Sequence, residues 1–132
     1  YLDKDKLITP HKAEFHRLFP YIKKSLDNKE KVLKFLKLCR SNILLKGSKT
    51  LIGSNKKIII NSHSSSELAV IGSGDVLAGI ITSLVGENKM SMLEAASAAA
   101  WLHGDIAKKY GKGLISEDLI KGIPSALKRL KK

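Results

Sequence analysis

The sequence predicts an α/β fold, and two kinds of pattern predict it. Short apolar runs suited to strands occur at Asn42–Lys46, Thr50–Gly53 and Lys57–Asn61. Between and after them, apolar residues recur at helical spacing, as at Val32, Phe35, Leu36 and Cys39 and again at Val76, Leu77, Ile80, Ile81, Leu84 and Val85. Strands of about five residues mixed with helices of three or more turns indicate α/β layering rather than a bundle or a sandwich. There is no internal repeat and no linker long enough to split the chain, so residues 1–132 read as one domain.

Taken in order, Lys6–Pro10 reads as a short strand stopped by proline, and His11–Phe19 as a helix ended by Pro20. Asn28–Arg40 is a helix whose lysines, Lys29, Lys31, Lys34 and Lys37, are expected on its wet face. The runs at 50–53 and 57–61, separated by Ser-Asn-Lys, predict a hairpin. Asn61–Glu67 is polar and serine-rich, hence a loop, and Leu68–Ile71 is expected to be a short strand. A helix then runs to about Gly86. Ser91-Met-Leu-Glu94 is a capping box opening another helix, whose alanines at 95, 96, 98, 99 and 100 suit close helix contact and are expected to pack Trp101. Ser116–Ile120 and Ser125–Leu130 are expected as two helical pieces separated by Pro124.

Composition narrows the function classes. The content of 43% hydrophobic and 27% charged residues is that of a globular chain with a core. No apolar run has the length of a bilayer span. The single cysteine, Cys39, is expected as a small core-facing residue, and a reducing cytoplasm is the expected compartment. The net charge of +12 is uneven: residues 1–60 hold 15 Lys/Arg against 5 Asp/Glu, and residues 61–112 hold 4 against 5. Such a surplus permits nucleic acid or another anionic partner without requiring one. No His/Cys/Asp cluster has metal-ligand spacing.

The stretch that carries chemistry is Gly72-Ser73-Gly74-Asp75, at the start of a strong helix. Glycines let a backbone turn tightly and approach a ligand. The first N–H groups of a helix lack intrahelical acceptors and can bind a phosphate. Asp75 in the first turn has two readings. It is a favourable partner for the helix dipole, or it is a base that takes a proton from a substrate hydroxyl while the amides of Gly72, Ser73 and Gly74 neutralise a phosphoryl group. No Gly-Lys-Ser/Thr follows, so this is not a Walker loop. His11 after proline could cap the following helix, and Lys46 could be a strand-end surface residue. His103, beside Gly104, is expected as a helix-end packing or capping residue, and His16 and His63 have no recognisable partners.

Several motifs in order resemble a known family. They are Leu7-Ile-Thr-Pro-His11 with Glu14-Phe15, Leu45-Lys-Gly-Ser-Lys-Thr50, Gly72-Ser-Gly-Asp-Val-Leu-Ala-Gly79, Leu102-His-Gly104 and Ser116-Glu-Asp-Leu-Ile120. Together they resemble the ribokinase-like fold and, within it, the ADP- or ATP-dependent NAD(P)H-hydrate dehydratases of the YjeF C-terminal type. The resemblance implies a three-layer α/β/α domain of which this chain is the C-terminal portion. It implies repair of hydrated NADH or NADPH: the nucleotide phosphorylates the hydrate hydroxyl, phosphate leaves, and the ring double bond returns. On this resemblance Asp75 is the base and contacts the hydrate. Gly74 lies against the nucleotide phosphate, Lys46, Gly47, Ser48, Lys49 and Thr50 line the nucleotide site, and His11 contacts the dinucleotide. Magnesium accompanies the ADP or ATP. The family domain is about twice as long, so a second copy or a complementing upstream portion is expected as a partner. The family's Thr-Gly-Asn-Pro-Gly-like loop is replaced here by His63-Ser-Ser-Ser-Glu67, and Ile71 stands where a small residue is usual. Two other classes fit parts of the pattern: a ribokinase-like sugar or vitamin kinase, which shares the glycine–aspartate turn, and a basic nucleic-acid- or protein-binding module.

Overall fold

A four-stranded sheet separates two helical layers in the computed structural model, which describes residues 2–131. The order along the chain is β1 (Leu7–Ile8), α1 (Lys12–Leu18), α2 (Asn28–Leu38), β2 (Asn42–Leu45), β3 (Thr50–Ser54), β4 (Lys57–Asn61), a 3-10 turn (Ser66–Leu68), α3 (Ser73–Gly86), α4 (Met92–Tyr110) and α5 (Ser116–Leu130). The strands lie in the order β1-β2-β3-β4. β1 and β2 are parallel, with α1 and α2 in the crossover, and the other pairings are antiparallel.

The sheet is buried on both faces at its centre because its side chains alternate. Ile43 and Leu45 of β2 and Leu51 of β3 pack with Phe15, Phe19 and Phe35 of the α1–α2 layer. Leu44 and Ile52 point the other way, to Leu77 and Ile81 of α3, the alanines of α4 and Leu119 of α5. This is the expected three-layer α/β/α arrangement. The expected hairpin is present: Ser54 pairs with Lys57, and Asn55 and Lys56 between them have φ of 43° and 69°. Two positive φ values in a two-residue loop match the right-handed twist of the strands. The α4 capping box also forms. Ser91 Oγ accepts from the Glu94 amide at 3.3 Å, and Glu94 Oε2 accepts from the Ser91 amide at 3.0 Å.

Four expectations need correction. Leu68–Ile71 is not a strand. The segment instead climbs from β4 to α3 through the 3-10 turn, held where Ser73 Oγ donates to the Leu68 carbonyl at 2.7 Å. α5 is one helix through Pro124, because the exposed proline leaves the Ile120 carbonyl on the solvent side, where water can replace the lost bond. Lys31 is not on the wet face. It is 1% exposed beside Val32, and burial pushes its ammonium pKa down. Trp101 is not packed under the alanine face. It is half-exposed and stacks on His63, with ring centroids 4.9 Å apart and planes at 15°.

Cys39 is half-buried against the α1–α2 core, as expected. Among the described residues no helix is long and apolar enough to cross a membrane.

Candidate functional site

α3 begins without a side-chain cap. Its N-cap is Gly72, at φ 84° and ψ −10°, a left-handed conformation that only glycine adopts cheaply. Crowding adds a second reason for glycine, since a Cβ at this position would lie 3.1 Å from Ser116 Oγ. The turn brings the segment Ser73-Gly74 against a cavity of about 910 Å³, within the size range of small-molecule sites. The positive end of the helix dipole therefore faces a space large enough for a nucleotide.

One wall of the cavity is built from strand ends on the C-terminal side of the parallel pair β1–β2. His11 follows β1, Lys46 follows β2, and the two residues form an isolated parallel bridge. His11 opens α1 with a capping box. Its Nδ1 accepts from the Ala13 and Glu14 amides at 3.1 and 3.2 Å, and Glu14 Oε2 accepts from the His11 amide at 2.8 Å. That amide above all, with Lys46 Nζ 3.8 Å away, holds the Glu14 carboxyl below the usual range. Lys46 also reaches α3: its Nζ lies 3.3 Å from where a Cβ on Gly74 would sit. A cation and an uncapped helix start thus share one side of the cavity, an arrangement suited to an anion.

The other wall is a loop, Ser64–Ile71, backed by α4. His103, in the middle of α4 rather than at its end, is 5% exposed and lines the cavity. Burial pushes its pKa down to about 4, and the Lys46 charge acts in the same direction against a hydrogen bond to the Ser73 carbonyl. The ring is neutral at pH 7, so its Nε2–H donates to that carbonyl, at 2.9 Å. His103 thereby fixes the first peptide of α3. One residue on, Gly104 lies so close to the loop that a Cβ would come within 1.9 Å of the His63 carbonyl oxygen. His63 is not partnerless: it meets Asp105, Trp101 and Lys108. Burial works against ionisation of Asp105, but Arg129, His63 and Lys109 outweigh it and hold the carboxyl below its ordinary value.

Of the residues singled out in the sequence, His11, Lys46, Gly47, Ser48, Thr50, Gly72, Ser73 and Gly74 all line this one cavity. Asp75 is exposed in the first turn of α3 and does not form part of the wall, and exposed Lys49 lies outside it too. Motif reading did not single out Leu77 or Ala100 as lining residues; it marked His63–Glu67 as replacing the family's loop, and it placed His103 in packing or capping within a motif that resembles the family. A small residue and a histidine four or fewer positions apart on an apolar helix was the available signal for Ala100 and His103. Among the described residues no group of three His, Cys, Asp or Glu side chains is placed to hold a metal ion.

Comparison with known proteins follows the same outline. The family model described as NAD(P)H-hydrate dehydratase matches residues 1–125. The chain is 40% identical, over 79% of its length, to the ADP-dependent (S)-NAD(P)H-hydrate dehydratase of Neisseria meningitidis, and spans 36% of that protein. Its fold matches a ribokinase-like superfamily protein from Enterococcus faecalis with a TM-score of 0.85 at 23% identity, covering 96% of this chain and 45% of that one. It also matches the ADP/ATP-dependent NAD(P)H-hydrate dehydratase of Bacillus subtilis, co-crystallised with ATP/Mg2+ and soaked with CoA, with a TM-score of 0.77 at 24% identity, covering 93% of this chain and 48% of that one. These two likenesses establish the ribokinase-like fold. The chain spans less than half the length of each of these three proteins.

Proposed function

Because the chain belongs to the NAD(P)H-hydrate dehydratase family, we propose that it forms the C-terminal portion of an enzyme that uses ADP or ATP to dehydrate hydrated NADH or NADPH. The observation that carries the reading is the shared placement of Lys46 and the uncapped start of α3 on one cavity. The nucleotide occupies that cavity, with Gly47, Ser48 and Thr50 along its strand-end wall and its terminal phosphate on the Gly72 and Gly74 amides. His11 sits where the dinucleotide enters. Lys49, exposed on the same turn, contributes charge at the rim.

Asp75 is the base. From the first turn of α3 its carboxylate takes the proton of the hydrate hydroxyl as that oxygen attacks the terminal phosphorus, and the bond to the departing nucleotide oxygen breaks. The Gly74 amide and Lys46 stabilise the charge on the moving phosphoryl group, while the Ser73 amide is engaged by the Val70 carbonyl at 3.3 Å. The ring C–O bond then breaks, phosphate leaves with its electrons, and loss of a ring proton restores the double bond. A carboxylate outside the wall suits this role: the hydrate approaches from the solvent side while the nucleotide lies within. Magnesium arriving with the nucleotide would find Glu14, a carboxylate of the cavity lining, and would supply charge neutralisation at the phosphates.

An upstream portion of the domain, or a second copy of the chain, completes the site against the open β1 edge. A single cysteine, half-buried, suits a reducing cytoplasm. The family match does not favour the kinase or nucleic-acid readings.

The full-length protein, mixed with NADH hydrate and either ADP or ATP, tests the reading. Recovery of the reduced-nicotinamide absorbance with release of inorganic phosphate supports it. A stable phosphorylated product would instead indicate a kinase. No turnover with either nucleotide contradicts the reading.

A further inference from the structure

We infer that Asp105 is a positioning residue, which clamps His63 and thereby sets the loop wall of the nucleotide cavity. It does not itself line the cavity, and it is 6% exposed on α4. Three groups from three elements converge on it. Arg129 of α5 donates to Oδ2 at 2.8 Å, Lys109 stands 3.3 Å from Oδ2, and His63 Nε2 is 3.3 Å from Oδ1.

The histidine is held from every side. Lys108 Nζ lies 3.2 Å from His63 Nδ1. An ammonium can only donate, so Nδ1 accepts and the ring proton sits on Nε2, directed at Asp105. The ring stacks on Trp101. The Asn61 side chain accepts the His63 amide at 3.2 Å. The His63 carbonyl presses on Gly104, where no side chain larger than hydrogen fits. The next three residues, Ser64, Ser65 and Ser66, are cavity wall.

A nearly buried carboxylate is an expensive way to secure a surface loop if packing alone would serve. Its effect is directional: a hydrogen bond and a stack fix the ring in place and orientation, and the chain leaves His63 in one direction. The serine loop has neither glycine nor proline between 62 and 69 to fix its own path, so the path is imposed from behind by α4. The clamp rests on the cavity's reading as a nucleotide site for its consequence, but not for its existence.

The test uses His63→Ala, His63→Gln, Asp105→Asn and the double variant His63→Ala/Asp105→Asn in the full-length protein. Hydrogen exchange over residues 62–68 is measured without ligand, and the Kd for ADP and ATP is measured by titration. His63→Ala and Asp105→Asn are each expected to raise exchange in the loop and to weaken nucleotide binding by about 10-fold. The double variant should be no worse than the worse single one. Glutamine at 63 can still donate to Asp105 and should recover most of the loss. Unchanged loop exchange in His63→Ala overturns the clamp. So do single effects that multiply in the double variant, or weakening that glutamine does not relieve. If Asp105→Asn fails to fold, the His63 pair decides alone, since that side chain is only half-buried. If the unaltered protein binds neither nucleotide, the functional reading of the cavity fails, while the exchange data still decide the clamp.

Discussion

The two walls of the cavity are built on different principles. The strand-end wall takes its geometry from hydrogen-bonded backbone: His11 and Lys46 are bridge partners at the ends of β1 and β2. The loop wall has no ladder. Its shape comes from side chains behind it, with His103 on the Ser73 carbonyl, Gly104 against the His63 carbonyl and Asp105 on the His63 ring. A wall of the first kind tolerates side-chain change because the sheet holds it. A wall of the second kind moves when one supporting residue changes.

The largest expected contrast comes from Gly104→Ala. Its Cβ would meet backbone rather than a flexible side chain, so the loop itself must shift. Overpacking against a fixed group costs about 3 kcal/mol. Denaturant titration should show that loss, and nucleotide binding should weaken with it. An alanine variant of unchanged stability would mean the loop is not pressed on α4.

Next comes the buried imidazole. The His103 pKa falls from 6.5 to about 4 in the folded protein. The unfolded chain therefore binds a proton between these values that the folded one does not, and stability falls as pH drops through that window. The full effect is up to about 3 kcal/mol, present above pH 6.5 and gone near pH 4. His103→Gln, which keeps a donor for Ser73, should flatten this acid limb by up to one proton. Equal slopes in the two proteins would contradict the assignment.

The smallest effects separate support from contact. His11 and Asp27 both open helices with full capping boxes, but only His11 lines the cavity. Replacing either with alanine should lower stability by about 1 kcal/mol. Only His11→Ala should also weaken ligand binding. If both variants bind equally well, His11 is a cap and nothing more.

The same division explains what was legible in the sequence. Period and punctuation located α1 to α4 and the hairpin, and α5 as two pieces, because Val32/Phe35/Leu36 and Asn55-Lys56 act locally. Lys46–Ser48, Thr50 and Gly72–Gly74 fell into one cavity because strand ends and a helix start are fixed by the layers. The segment Leu68–Ile71 was misread as a strand because its apolar residues match the pattern, while the 3-10 turn and the Ser73 bond to the Leu68 carbonyl that carry it to α3 depend on contacts five residues apart. His63, Trp101 and Asp105 were likewise unreadable as a set. They lie up to 42 positions apart, and their chemistry exists only once β4 and α4 are side by side. Pro124 was given too much weight, since a proline on the wet side of a helix can be carried by the turns around it.

The most direct test of the central claim is Asp75→Asn in the full-length protein, with hydrate turnover and unfolding measured side by side. Asp75 is exposed and accepts no side-chain hydrogen bond among the described residues, so the fold does not depend on it. The account predicts that kcat falls by about 10²- to 10⁴-fold, the usual contribution of a general base. It predicts that nucleotide Kd and stability each change by less than about 0.5 kcal/mol. Turnover retained at the level of the unaltered protein would contradict it.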